Sequence, residues 1–158
     1  MRNGIGYDIH PLVQQGRPLV LGGVLIEHTA GLAGDSDGDV LCHALIDALL
    51  GAAALGDIGH HFPPGDERYR DARSLDLLRE AVALVTNAGY AIVNVDATVI
   101  AEAPRLSPHI DDIRASLAGA LAVDATAVSV KATTADGLGA LGRGEGIAAL
   151  AIALLDST

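Results

Sequence analysis

The stretch Ser36-Asp37-Gly38-Asp39-Val40-Leu41-Cys42-His43-Ala44 sets chemistry-bearing residues directly against a long apolar run. Ser36 followed three residues later by Asp39 is a capping-box pattern, so the spacing predicts a helix opening at Ser36. Asp37 and Asp39 then stand where negative charge suits the helix dipole. The apolar residues from Val40 to Leu55 carry that helix to about Gly56. His43 falls one turn past Asp39, so the two side chains share a face. A histidine there can be a metal ligand, with Asp39 or Asp47 as its hydrogen-bond partner. Asp35, Asp37 and Asp39 alternate as in an EF-hand. That reading fails, because the glycine falls between the acids and the twelfth loop position is Ile46 rather than Glu.

Upstream, Gly6-Tyr7-Asp8-Ile9-His10 reads as the end of a strand running from Arg2 to His10, closed by Pro11. Residues two apart in a strand face the same side, so Asp8 and His10 project together. With His43 they make three N/O donors, a set that suits an open zinc site whose fourth position is left to water or substrate. Pro11 to Arg17 reads as a turn. Pro18 to Ile26, broken by Gly22-Gly23, reads as two short strands or one bulged hairpin, and Glu27 to Asp35 as a loop.

Downstream, Gly56 to Asp66 is a loop by its glycines and prolines, and its length suits a functional role. His60 and His61 within it are adjacent, do not converge easily on one metal, and are expected in solvent. Ser74 is expected to cap a second helix with Leu75, Leu78, Val82 and Val85 on one face, stopping at Gly89. Tyr90 to Ala101 is rich in β-branched residues and predicts a strand. Ser107-Pro108 opens a third helix to about Leu121. Ala127 to Thr134 predicts a strand and Ala135 to Gly146 a glycine-rich loop. Gly137 to Gly142 spells G-x-G-x-x-G, but no helical pattern follows and the expected downstream acid would fall at the C-terminus. It reads as a glycine loop rather than a dinucleotide turn. In Ile147 to Leu155 the alanines favour helix, while the alternation of Leu150, Ile152 and Leu154 allows a strand.

The chain has 158 residues, 50% of them hydrophobic, with a mean hydropathy of +0.37 and a formal net charge of -10. That length predicts a single domain, 1–158, with a real core. No run approaches the roughly 18 uncharged apolar residues of a membrane span. The start does not read as a signal or transit peptide. The acidic balance argues against nucleic acid as a partner. Phosphates would have to be held locally, by metal ions, backbone N–H groups and helix N-termini. Cys42 is the one cysteine, which excludes an intrachain disulfide and fits a reducing, cytoplasmic setting. Many of the apolar residues are alanines and one residue is Phe, so part of the apolar surface is expected to be buried between subunits. The element order β, β, α, α, β, α, β, β predicts an α+β fold, a small, mostly β sheet with helices packed on one face.

Six stretches, in order along essentially the whole chain, resemble the 2-C-methyl-D-erythritol 2,4-cyclodiphosphate synthase family of the non-mevalonate isoprenoid pathway. They are Gly6-Tyr7-Asp8-Ile9-His10, Ser36-Asp37-Gly38-Asp39 with His43-Ala44, Gly56-Asp57-Ile58-Gly59, Ala101-Glu102-Ala103-Pro104-Arg105, Lys131-Ala132-Thr133-Thr134 and Gly142-Arg143-Gly144-Glu145-Gly146. The resemblance implies a homotrimer with active sites between subunits, and it tips the C-terminal segment to a strand. It implies a lyase that closes 4-diphosphocytidyl-2-C-methyl-D-erythritol 2-phosphate on itself. The 2-phosphate attacks the β-phosphate and CMP leaves, giving the cyclic diphosphate. In such an enzyme the two metals would supply the positive charge that an acidic chain lacks.

By that resemblance Asp8, His10 and His43 would hold Zn2+, one per subunit, with a substrate β-phosphate oxygen in the fourth position. Asp57, Ile58 and Gly59 would line the methylerythritol pocket, with Ile9, Asp35, Ser36, Phe62 and Asp66 also on the substrate. Ala101, Glu102, Ala103, Pro104, Arg105, Leu106 and Ser107, with Thr133, Thr134, Ala135 and Asp136, would hold the cytidine diphosphate from the neighbouring subunit. Thr134 and Asp35 would be the catalytic pair at the phosphates. Asp136, standing where the family usually has Glu, would hold Mg2+ or Mn2+ across the diphosphate. Ala140 and Arg143 would face the trimer axis, where the family has a channel that can take an isoprenoid diphosphate. This sequence departs from the family at Asp35, where a His is usual, at Pro63-Pro64, where Pro-Asp is usual, and at Ala140, where a larger apolar residue is usual. Two other readings stay open: a zinc-dependent phosphohydrolase, and an inactive trimeric metal- or isoprenoid-binding homologue.

Overall fold

In the computed structural model, which describes residues 1–14 and 16–158, strand β7 (Gly146–Ser157) runs between β1 (Arg2–Val13) and β5 (Tyr90–Ile100), antiparallel to both. The outer positions are taken by β4 (Gly31–Leu32) beside β1 and β6 (Val128–Thr133) parallel to β5, giving the order β4-β1-β7-β5-β6. A separate hairpin joins β2 (Leu19–Leu21) to β3 (Val24–Ile26). Its turn is Gly22-Gly23, both at positive φ, as a tight two-residue turn requires.

Three helices cover one face of the sheet. α1 (Val40–Ala53) is buried at every position except Asp47 and Gly51, so it is apolar all round rather than amphipathic. It lies on β1 and β7 and is roofed by α3 (Ser74–Asn87), which packs on α4 (Ile110–Leu121). Short helical turns fill the connections, α2 (Ile58–His61) and α5 (Gly139–Gly142) among them.

The face of the sheet under α1 is built from small residues. Gly4 and Gly6 of β1 oppose Ala153 and Ala151 of β7. A Cβ on Gly6 would lie 1.9 Å from the Ala44 carbonyl oxygen, and one on Gly4 2.1 Å from that of Ala48. The helix therefore sits on bare backbone. The opposite face carries Ile5, Tyr7, Ile9, Leu150 and Ile152, all exposed large apolar residues.

The α+β class, the strand and helix identities and the strand at the C-terminus match the sequence expectations. Several boundaries differ. β1 continues through Pro11 to Val13, because Pro11 pairs with Gly146 and needs no N–H there. Of the turn expected at Pro11 to Arg17, Gln15 lies outside the described residues. The expected loop Glu27 to Asp35 contains β4. α1 opens at Val40, not Ser36: Asp39 is its cap, and its carboxylate accepts from Cys42 N. Ser74 is the first residue of α3 rather than its cap. The glycine loop folds into α5.

Candidate functional site

Period-two alternation along β1 turns Gly4, Gly6, Asp8 and His10 toward α1, where His43 stands one residue before Ala44. The bare backbone at Gly6 brings the helix close enough for the three side chains to meet. One ligand atom from each of Asp8, His10 and His43 lies within 4.8 Å of the others, the one such metal-type group among the described residues. Asp8 Oδ2 is 2.8 Å from His10 Nε2 and 3.0 Å from His43 Nδ1, and the two ring nitrogens are 3.2 Å apart.

The outer ring nitrogens are both engaged. His10 Nδ1 donates to the Ala33 carbonyl, which can only accept. His43 Nε2 is 2.9 Å from Ser74 Oγ and 3.2 Å from Ser36 Oγ. His10 thus turns a bare nitrogen inward beside the Asp8 carboxylate, and lone pairs converge on one point. A proton or a metal cation between them relieves the repulsion, so this donor set fits a metal ion. Burial pushes the Asp8 carboxyl up, but hydrogen bonds and charge from both histidines outweigh it and hold the acid well below its usual range. The hydrogen bond to Asp8 raises His10, against a smaller opposing effect of burial.

The cluster sits on the wall of a cavity of about 370 Å³, which Gly34, Asp35 and Ser36 line on one side. Ile58, Gly59 and Phe62 to Asp66 line the other, with Tyr69 and Leu77 adding apolar wall. Asp35 Oδ2 accepts from Gly65 N at 3.2 Å and ties the two loops together. Asp57 does not line the cavity; it caps α2, accepting from His60 N at 2.9 Å. His60 is exposed, as expected, while half-buried His61 donates to the Leu55 carbonyl. Ile9 points to the opposite sheet face.

The remaining expected residues assemble elsewhere. Ala101, Glu102, Pro104 to Ser107 and Ala132 to Thr134 line a second cleft of about 310 Å³ at the ends of β5 and β6. Glu102 Oε1 accepts from Ala135 N at 2.7 Å and joins its two loops. Arg105 Nε donates to Ser107 Oγ, and Ala103-Pro104 is a cis peptide. Asp136 is exposed on a turn and outside the three-residue metal-type group. Ala140 borders a third groove with Ile9, His10 and Pro11, and exposed Arg143 pairs with Glu145. His10 pairs with Ile147 while Ile100 pairs with Ala148, so the cavity and the cleft lie at one end of the sheet.

The expected partners of His43 are corrected. Asp39 is buried and accepts from Gly22 N, Gly23 N and Cys42 N at 2.7–3.1 Å. Asp47 accepts from Ile58 N at 2.8 Å. Ser74 takes their place beside His43, and Asp37 binds Ser74. A second unforeseen side chain is Arg17, which donates to the carbonyls of Gly34 and Ser36 and braces the cavity loop. No local pattern marks Arg17, since both partners lie 17 or more residues away.

The YgbB family profile matches residues 1–156. The curated 2-C-methyl-D-erythritol 2,4-cyclodiphosphate synthase of Moorella thermoacetica is 63% identical over 155 residues, covering 98% of this chain and 94% of that protein. A solved 2C-methyl-D-erythritol-2,4-cyclodiphosphate synthase in a CDP-bound form superposes with a TM-score of 0.90 at 39% identity, covering 98% of this chain and 100% of that one. The bifunctional IspDF of Campylobacter jejuni superposes at 0.95 with 41% identity, covering 99% of this chain and 42% of that longer one. In sequence and in fold, the chain belongs to the YgbB family, that of the 2-C-methyl-D-erythritol 2,4-cyclodiphosphate synthases.

Proposed function

We propose that this chain, as one catalytic domain of 158 residues, works as a zinc-dependent cyclase at a site shared between subunits. It is a lyase of isoprenoid biosynthesis, converting 4-diphosphocytidyl-2-C-methyl-D-erythritol 2-phosphate to 2-C-methyl-D-erythritol 2,4-cyclodiphosphate with release of CMP. The observation that carries the zinc reading is the convergence of Asp8, His10 and His43 on one point of the cavity wall. A bound zinc ion would supply Lewis-acid charge neutralisation at a phosphate.

The residues around it divide the work. Ile58, Phe62 and Leu77 give apolar wall against which the methylerythritol carbons pack and from which water is excluded. Asp35 and Ser36 border the space for the 2-phosphate. The nucleophile is already an anion, so no general base is needed; the chain's task is to hold two phosphates in line. The cleft lined by Ala101, Glu102, Pro104 to Ser107, Thr133 and Thr134, with Ala103, Ala135 and Asp136 in the adjoining loops, takes the cytidine diphosphate of a neighbouring subunit's substrate. Thr134 donates to a phosphate, and Asp136, exposed on its turn, would help hold Mg2+ or Mn2+ brought with the diphosphate. The relative's CDP-bound form supports the nucleotide class. A homotrimer is supported by the bare apolar sheet face, and a cytoplasmic setting by the single cysteine. Ala140 and Arg143 belong to the surface turned toward the assembly axis.

The test is CMP release from the cytidyl substrate by purified protein with zinc and magnesium, beside His43→Ala. The wild type is expected to yield CMP and the cyclic diphosphate, and the variant to lose zinc and turnover. Acyclic phosphate products would instead support a hydrolase. A folded, zinc-loaded protein releasing no CMP would overturn the cyclase reading.

A further inference from the structure

Ser74 is fully buried, and its hydroxyl meets three polar side chains at once. It donates to Asp37 Oδ1, while Asp37 Oδ2 accepts from the Ser74 backbone N–H at 3.1 Å. A carboxylate only accepts, so the one hydroxyl proton is committed to Asp37. What Ser74 Oγ turns toward His43 Nε2, 2.9 Å away, is a lone pair. That lone pair draws the ring proton to Nε2, against the pull of Asp8 Oδ2, which lies 3.0 Å from Nδ1. Ser36 does not reverse this. Its Oγ accepts from Gly38 N at 3.3 Å and lies 3.1 Å from Ser74 Oγ, closer than its 3.2 Å to Nε2. Its proton has the Ser74 oxygen to go to.

We propose that Asp37 and Ser74 are positioning residues for the metal site: together they fix His43 with its proton on Nε2 and its bare Nδ1 aimed at Asp8 and His10. The proposal rests on the metal reading above and deepens it. Each member comes from a different element, Asp37 from the loop before α1, His43 from α1 and Ser74 from the first turn of α3. The relay therefore also couples the seating of α3 to the readiness of the site. Neither residue lines the cavity, so their effect on the metal site passes through the imidazole, while Asp37 also accepts from the backbone N–H groups of Asp39 and Ser74. Partners of this kind typically change metal affinity by about tenfold to a hundredfold when removed.

The experiment has two arms on the full chain. In the first, ring-nitrogen NMR of the zinc-free wild type, above the histidine titration range, reads the tautomer directly. His43 is expected as Nε2–H with Nδ1 bare; the opposite tautomer overturns the proposal. In the second, zinc affinity is measured by chelator competition for wild type, Ser74→Ala, Ser74→Thr and Asp37→Asn. Ser74→Ala and Asp37→Asn are expected to weaken zinc about tenfold to a hundredfold in chains that remain folded, with the metal-free melting temperature recorded alongside to separate loss of fold from loss of metal. Ser74→Thr, which keeps the hydroxyl, is expected to restore most of it. Wild-type affinity in Ser74→Ala overturns the proposal while leaving the zinc reading intact. A wild type that takes up no zinc overturns the zinc reading itself. If Ser74→Ala does not fold, the wild-type tautomer alone decides.

Discussion

At His10, pH acts in opposite directions on the metal-free and metal-loaded protein. The Asp8 carboxylate raises the His10 pKa in the folded chain. The folded state therefore binds that proton more tightly than the unfolded one. The resulting stability is complete below about pH 6.5 and is lost as pH rises through the raised value. Zinc needs the same nitrogen bare, so its affinity rises over that interval. Between about pH 6 and about pH 8, the melting temperature in chelator is expected to fall, while the increment on adding zinc grows. A metal-free melting temperature that rises across that range would contradict the assignment. Asp35 offers a second test. Its bond to Gly65 N holds the far loop of the cavity, so Asp35→Ala is expected to raise KM by up to about tenfold, the worth of one charge-assisted hydrogen bond. Steady-state kinetics read this directly, and an unchanged KM would leave that bond without a role in binding.

Between elements, two contacts decide whether α1 and its histidine are seated. Asp39 caps α1 and, with the same carboxylate, accepts both N–H groups of the β2–β3 turn. Burial pushes this acid up and the backbone donors pull it down. Asp39→Ala leaves those buried donors unpaired and is expected to cost at least about 2 kcal/mol in urea unfolding. Gly6→Ala puts a methyl into the Ala44 carbonyl and is expected to cost about 3 kcal/mol or more. If that variant folds, α1 must move off β1, and zinc affinity should fall with it. These contacts also mark what the sequence makes legible. Asp8 and His10 are paired by strand periodicity, and His43 is marked by its place on a helix, so the three members of the metal-type group can be read locally. The approach of helix to strand that joins them is tertiary. So is the role of Ser74. It resembles a helix cap in its own neighbourhood, and its partner Asp37 arrives from 37 residues away. Ser36 and Asp39 both fit the local capping pattern, and the bonds of Asp39 to Cys42 N and to the β2–β3 turn decide between them.

For the whole molecule, the bare face of Ile5, Tyr7, Ile9, Leu150 and Ile152 is the counterpart of the high apolar content. Ile5 pairs with Ile152 and Tyr7 with Leu150 across two strands, making one continuous patch. Ile152→Lys is expected to dissociate the proposed homotrimer, read by sedimentation, without unfolding the subunit. Trimers left intact by that charge would place the interface elsewhere. If each active site joins the cavity of one subunit to the cleft of another, as proposed, an inactive His43→Ala chain mixed with an inactive chain altered at Thr134 should regain partial turnover after co-refolding. The sheet order carries a consequence for synthesis. β7 is the strand made last, yet it is the one that β1 and β5 both pair with. Before β7 is in place, β1 and β5 each present a long edge with nothing to pair it. The sheet therefore cannot close from its N-terminal strands alone, and a chain caught before β7 pairs is exposed to edge-to-edge aggregation or to chaperone capture.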